Sequence, residues 1–204
     1  MALFLPTYFS PISQYRAMLN SDEIIFEVED NFQKQTYRNR CYIYGTNGKQ
    51  LLNIPVKHLE NNNRKKTKDT LVEPNNNWQS QHLKSIQTAY RNSPFFEFYE
   101  DDLQSIFTKK YTYLLDVNID SYLFMMEALQ VSERHSKTQE FDISPQNDYR
   151  ILANAKQHHA IDSESYIQMF DDKHGFINDL SILDLLFMEG PNTISFLENK
   201  PLNL

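Results

Sequence analysis

A chain of 204 residues, 40% of them hydrophobic and with 14 Phe and 12 Tyr, carries enough apolar side chain to bury a core, which excludes a disordered tail or adaptor. A formal charge of −7 disfavours nucleic acid and anionic membranes, which bind mainly through clustered Lys and Arg. No apolar stretch reaches the roughly 20 residues of a spanning helix, Met1-Ala-Leu-Phe-Leu-Pro6 has no basic start or cleavage site, and the lone Cys41 cannot form an internal disulfide. These features predict a cytoplasmic protein of one domain, residues 1–204, with no membrane insertion and no nucleic-acid partner.

The fold class reads as α/β, a βαβ-type N-terminal start followed by a β-hairpin and several packed helices. Residues 3–5 are a short apolar run ended by Pro6, Ile12–Leu19 has helical spacing, and Ile24-Ile25-Phe26-Glu27-Val28 is a second apolar run. Strand, loop, helix and strand in that order open a βαβ unit. The loop Pro6-Thr-Tyr-Phe-Ser-Pro11 falls where open α/β sheets place ligands, beyond the carboxyl end of a strand, but it has no Gly-rich phosphate fingerprint.

Asn39–Tyr44 and Gln50–Val56 are strand-like and are joined by Gly45-Thr46-Asn47-Gly48, a strong hairpin signal because Asn and Gly tolerate positive φ. Pairing these strands brings Arg38-Asn39-Arg40 beside Pro55-Val56-Lys57. The basic run Arg64-Lys65-Lys66-Thr67-Lys68 follows three asparagines and reads as a solvated surface loop, or as a mobile cover for a phosphorylated ligand.

Asn75-Asn76-Asn77 offers an N-cap to a helix whose Trp78, His82, Ile86 and Tyr90 share one face, stopped by Pro94. Phe96–Phe107 and Tyr113–Leu129 have helical spacing. The pattern then weakens: Ser132–Thr138 is a strand candidate, Pro145–Asp148 a turn, and Tyr149–Gln157 a helix or a strand. Tyr166–Phe170 is a short strand candidate, and Leu180–Glu189 is a core helix closed by Gly190-Pro191.

Several constellations could carry chemistry. Lys34, Arg38, Asn39 and Arg40 precede a strand, and on an extended segment Arg38 and Arg40 point the same way, so their guanidinium groups could grip a phosphate or carboxylate; the competing reading is an edge strand guarded by charge. Glu27, Glu29 and Asp30 end the second strand, where they could act as general base, bind ribose hydroxyls, hold a metal or pair with the arginines. His82, with Trp78 and Tyr90 on an apolar face, is a proton-transfer candidate or a satisfied core residue. Asp184, set among Ile182, Leu183, Leu185 and Leu186, calls for a cationic partner such as Arg38, Arg40 or Arg91. Cys41 lies beside arginines that could lower its pKa, though inward strand cysteines are usually inert. His158-His159, Asp171-Asp172 and His174 have no recognised metal-ligand spacing, and no metal or cofactor is expected.

Taken together, Pro6-x-Tyr8-x-x-Pro11, Lys34 with Tyr37-Arg38-Asn39-Arg40, Leu52-x-x-Pro55-Val56, Trp78-x-x-x-His82, Tyr90-Arg91-x-x-Pro94-Phe95-Phe96, and Leu180–Phe187 with Gly190-Pro191 resemble the WbqC-like family. Members commonly carry Gln-Pro where this chain has Leu5-Pro6, and paired acids where Val28 and Glu29 stand. The resemblance implies a transferase of surface polysaccharide (O-antigen type) biosynthesis, with aminoacyl (glycine) transfer to a sugar or sugar nucleotide as its suggested chemistry. The partner expected is an anionic small molecule such as a nucleotide sugar, with Tyr8, Lys34, Arg38, Asn39, Arg40, Trp78, Arg91 and Asp184 binding it and His82, Glu29 and Asp30 catalytic. The alternative is a non-catalytic binding or scaffold protein in which the Arg-Asn-Arg run forms a structural ion-pair network.

Overall fold

The computed structural model describes residues 1–57, 65–156 and 165–199. Strand β1 (Ala2–Phe4), helix α1 (Ile12–Leu19) and strand β2 (Ile24–Phe26) form the expected βαβ start, with Ala2 opposite Ile24 and Phe4 opposite Phe26 in parallel register. A third parallel strand, β5 (His135–Lys137), joins the other edge of β2, so β2 is central. Phe4 and Phe26 point into the core at 0% and 2% exposure, which pins the register, because a one-residue slip would expose them.

Pro11 offers no side-chain acceptor to the first turn of α1. That role falls to Asp179, whose carboxylate accepts the Ser13 N–H at 2.9 Å and the Ser13 hydroxyl at 3.0 Å. The hairpin β3 (Arg40–Gly45) and β4 (Gly48–Asn53) pairs Arg40 with Asn53 and Gly45 with Gly48. Of the pair Asn47-Gly48, only Gly48 takes positive φ, at 92°, so the glycine makes the left-handed step of the turn.

Helices α2 (Trp78–Tyr90), α3 (Phe96–Thr108) and α4 (Leu114–Ala128) follow. In α2 the buried residues are Trp78, His82, Ile86, Ala89 and Tyr90, the face set by the i+4 spacing. Asn77 occupies the N-cap position of α2 but makes no side-chain capping bond. The short α5 (Asp171–His174), α6 (Ile182–Glu189) and α7 (Thr193–Glu198) complete the order. Ser181 caps α6 by accepting the Leu183 N–H, and Gly190 closes it at φ 52°.

One expectation fails on local structure, and one open reading is decided. Tyr166–Phe170 forms no strand; Gln168 instead clamps Ile177, accepting its N–H at 2.8 Å and donating to its carbonyl at 2.9 Å, and leads the chain into α5. Within 149–157, residues Arg150–Ala153 make a single 3₁₀ turn, and α7 carries no anticipating signal. The buried apolar side chains form one cluster that includes Tyr8, Phe9, Ile43, Phe96, Leu183 and Phe187. Among the described residues no helix is long and apolar enough to cross a membrane.

A candidate ligand cleft beyond the parallel strands

Leu5 leaves the end of β1, Glu29 and Asp30 leave the end of β2, and Phe141 follows β5. All four line one cleft of about 620 Å³, together with Thr36, Arg38, Lys66 and Arg150. It opens where parallel sheets place ligands, since each strand ends there with a connection free to vary.

Three segments build the walls. After β5 the chain returns along the outer edge of β1, where Leu3 accepts the Tyr149 N–H and donates to Asn147, at 2.8 and 2.9 Å. This carries Arg150 and Ile151 over the cleft. On the opposite side residues 65–68 are laid against 28–32: Lys68 N–H donates to Val28, Thr67 N–H to Asp30 and Phe32 N–H to Lys65, at 3.1, 2.9 and 2.7 Å. The floor is tied by Asn118 of α4, whose amide donates to the carbonyls of Pro6 and Arg38, both at 3.0 Å.

Charge in the cleft is alternated and nearly balanced. Arg38 is 2% exposed and forms an ion pair with Asp30, while its other terminal nitrogen donates to Thr36 at 3.1 Å. Burial lowers the Arg38 pKa and the Asp30 carboxylate opposes that shift. The Arg38 Nε makes no hydrogen bond. Asp30 also accepts the Thr67 hydroxyl at 2.5 Å. Glu29 is gripped by Lys66 and Lys68, whose ammonium groups hold its carboxyl below the usual carboxylate range. Glu27, fully buried behind it, accepts the Glu29 N–H at 2.8 Å, the Thr138 hydroxyl at 2.8 Å and the Asp142 N–H at 3.1 Å. Arg150 pairs with Asp148 at 2.6 Å and lies over the Phe141 ring at 5.1 Å.

The Glu29 carboxylate, held ionised beside partly exposed ammonium groups, suits a ligand that carries both hydroxyls and an anionic group. Phe141 and Ile151 supply an apolar wall for a flat ring. Glu29 is held here as an acceptor of hydrogen bonds, not as an acid.

The predicted site residues do not converge on one place. Glu29, Asp30 and Arg38 line the cleft. Lys34 is exposed in the neighbouring turn, outside the lining, and Asn39 is spent on the hairpin, its amide donating to Asn53 and to the Ile54 carbonyl at 3.1 Å. Arg38 stands in a turn ahead of β3, so the strand alternation that would aim it with Arg40 does not apply; Arg40 heads β3 opposite Asn53 and does not line the cleft. Of the basic run, Lys66 and Lys68 are partly exposed, ion-paired to Glu29 and carried by a segment anchored to 28–32 through backbone bonds, while Arg64 lies outside the described residues, as do His158 and His159.

Tyr8, Trp78 and His82 form a separate buried group. His82 Nδ1 lies 3.1 Å from the Tyr8 hydroxyl, Trp78 packs edge-on to both, and none of the three lines the cleft. Burial brings the His82 imidazole down to about 4, so it is neutral at physiological pH. Arg91 is exposed, paired with Glu100 at 2.9 Å.

Asp184 is the clear correction: no lysine or arginine among the described residues reaches it. It accepts the hydroxyls of Tyr90 and Tyr166 at 2.6 and 2.5 Å and the Gln168 amide at 3.0 Å, and burial raises its pKa against those bonds. Three neutral donors from two segments replace the expected ion pair, at smaller desolvation cost than a buried guanidinium. Cys41 is likewise buried, and burial drives its thiol pKa far up, so the arginines nearby do not activate it. Among the described residues no three His, Cys, Asp or Glu side chains converge as metal ligands. Arg150 and Phe141 carried no sequence signal of a site, whereas Thr36 lies within the polar run 33–40 that includes Lys34, Arg38 and Arg40.

The model of the WbqC-like protein family matches residues 6–168, most of the chain. The chain belongs to the WbqC-like protein family. The matched stretch holds nearly every wall of the cleft, from Glu29 to Asn154, and ends before α6 of this WbqC-like protein. Comparisons with curated proteins and with solved structures find no match.

Proposed function

We propose that the cleft beyond β1, β2 and β5 binds a nucleotide sugar or a related phosphorylated intermediate, and that the chain is a cytoplasmic transferase modifying that sugar in surface polysaccharide biosynthesis. One observation carries this reading: at the carboxyl ends of three parallel strands, Glu29 and Asp30 meet Lys66, Arg38 and Arg150 beside the Phe141 ring. Lys66 and Arg150 meet the phosphate, Glu29 and Asn154 accept or donate to sugar hydroxyls, and Phe141 and Ile151 flank the base. Proton acceptance falls to Glu29; His82 has no part in it, being buried in another group.

Calorimetry and thermal-shift measurements across a panel of nucleotide sugars test the proposal. A binding member present at a hundredfold excess over its dissociation constant should stabilise the chain by about 2.7 kcal/mol. Lys66→Ala should weaken that ligand about tenfold, whereas Arg40→Ala and Arg91→Ala should not. A panel with no stabilising member contradicts it.

A second reading is favoured by the Arg38–Asp30 pair itself, which is buried and shared with Thr36 and Thr67. In that reading the network holds the chain before the hairpin to the sheet and no reaction occurs. It predicts normal folding contributions from Arg38 and no ligand.

A further inference from the structure

A second cavity, of about 570 Å³, lies in the C-terminal part of the chain, and its other walls stand after the stretch matched to the family. Three of its walls are rings. Phe176 meets Tyr166 at 5.6 Å and 89°, and Phe196 meets Tyr166 at 5.5 Å and 82°, so two rings stand edge to face around a third. Tyr166 is fixed in place, because its hydroxyl donates to the buried Asp184 at 2.5 Å and receives the Gln168 amide at 3.1 Å.

The remaining polar walls are Ser165 and the acidic residues Asp171 and Glu189. Asp171 accepts one backbone N–H, from Gln168 at 3.2 Å. No lysine or arginine among the described residues pairs with either carboxylate. Glu189 is also the last residue of α6, where the helix dipole is negative and an anion is disfavoured. Two carboxylates with no lysine or arginine partner among the described residues therefore line a space walled by aromatic rings. Arg16 of α1, itself 2% exposed, already lies over Phe196 at 5.6 Å, so one of these rings takes a cation within the fold.

We propose that this cavity is a binding site for an organic ammonium cation, its alkylated head group seated against Tyr166, Phe176 and Phe196 and its charge countered by Asp171 and Glu189. Ring faces attract a diffuse cation, and carboxylates at the rim supply the long-range term. A hard inorganic cation is the poorer fit, since it needs several converging oxygens where this site offers rings.

The test uses the full chain with choline and its uncharged isostere 3,3-dimethylbutan-1-ol, followed by NMR of the aromatic signals and by calorimetry. Choline should shift the Phe176 and Phe196 signals with millimolar affinity, and the isostere should bind at least about tenfold more weakly. Glu189→Gln should weaken choline about fivefold while leaving the isostere unchanged. Phe176→Leu, at a ring 39% exposed, should weaken choline without altering the circular dichroism spectrum. Equal binding of choline and isostere, no shift with choline, an unaltered Glu189→Gln variant, or displacement by potassium at equal concentration each overturns the assignment.

Discussion

Replacing Arg38 by Met keeps the length of the side chain and removes its charge. The partner, Asp30, has a side chain only 9% exposed, and without the guanidinium its carboxylate keeps the Thr67 hydroxyl as its side-chain donor among the contacts described. Removing one member of a buried pair costs about 3–5 kcal/mol, because the other charge is left without compensation. Lost with it is the Arg38 bond to Thr36, worth about 0.5–1.5 kcal/mol within that range. Trp78, 3% exposed, reports unfolding by fluorescence in urea. With a slope of about 2 kcal/mol per molar urea, the midpoint should fall by about 1.5–2.5 M. Arg38→Met combined with Asp30→Leu should recover most of the loss, since an apolar pair of similar volume is often neutral. A single-variant loss below about 1 kcal/mol would show the pair to be worth no more than a solvated surface bridge, and the reasoning fails.

His82 is kept neutral by burial, with its pKa near 4 below that of a free imidazole. Its stabilising contribution is complete above about pH 6.5 and is lost as pH falls toward 4, about 3 kcal/mol in all. Urea unfolding of His82→Gln should therefore lose less stability between pH 7 and 4 than the parent does, and parallel slopes would refute it. Asp184 has the opposite sign: its raised pKa favours the fold below the usual carboxylate value of about 4 and disfavours it as pH rises through the folded value. Asp184→Asn should accordingly gain on the parent as pH rises above about 4, and a constant difference over pH 4–8 would contradict this. Gly190→Ala would place a Cβ 2.5 Å from the Phe95 ring on a backbone at φ 52°, costing about 2–5 kcal/mol. Calorimetry should show the midpoint falling by at least about 5 °C, and an unchanged midpoint would mean that Phe95 moves aside freely.

Local patterns announced the elements whose causes are local. The apolar runs at 3–5 and 24–28 around the helix of Ile12–Leu19 gave the parallel pair, and Asn47-Gly48 gave the hairpin. Strand β5 was only a candidate, because His135–Lys137 has no alternation of its own and is a strand through pairing with β2. Asp184 was rightly placed in the core, but its partners come from Tyr90, Tyr166 and Gln168, and spacing along the chain cannot rank distant tyrosines above an expected arginine. Half of the cleft was legible for the same reason: Glu29, Asp30 and Arg38 sit at the ends of recognisable elements. Phe141 and Arg150 come from a segment whose path is set by backbone bonds to Leu3, which no side-chain pattern encodes.

The central claim is that an anionic sugar ligand occupies the cleft at the ends of the parallel strands. A crystal structure of the chain with a stabilising nucleotide sugar tests it most directly. The account predicts phosphate oxygens within hydrogen-bond reach of Lys66 and Arg150 and sugar hydroxyls on Glu29. A ligand bound at another face, with the Glu29 contacts to Lys66 and Lys68 unchanged and the cleft empty, would contradict it.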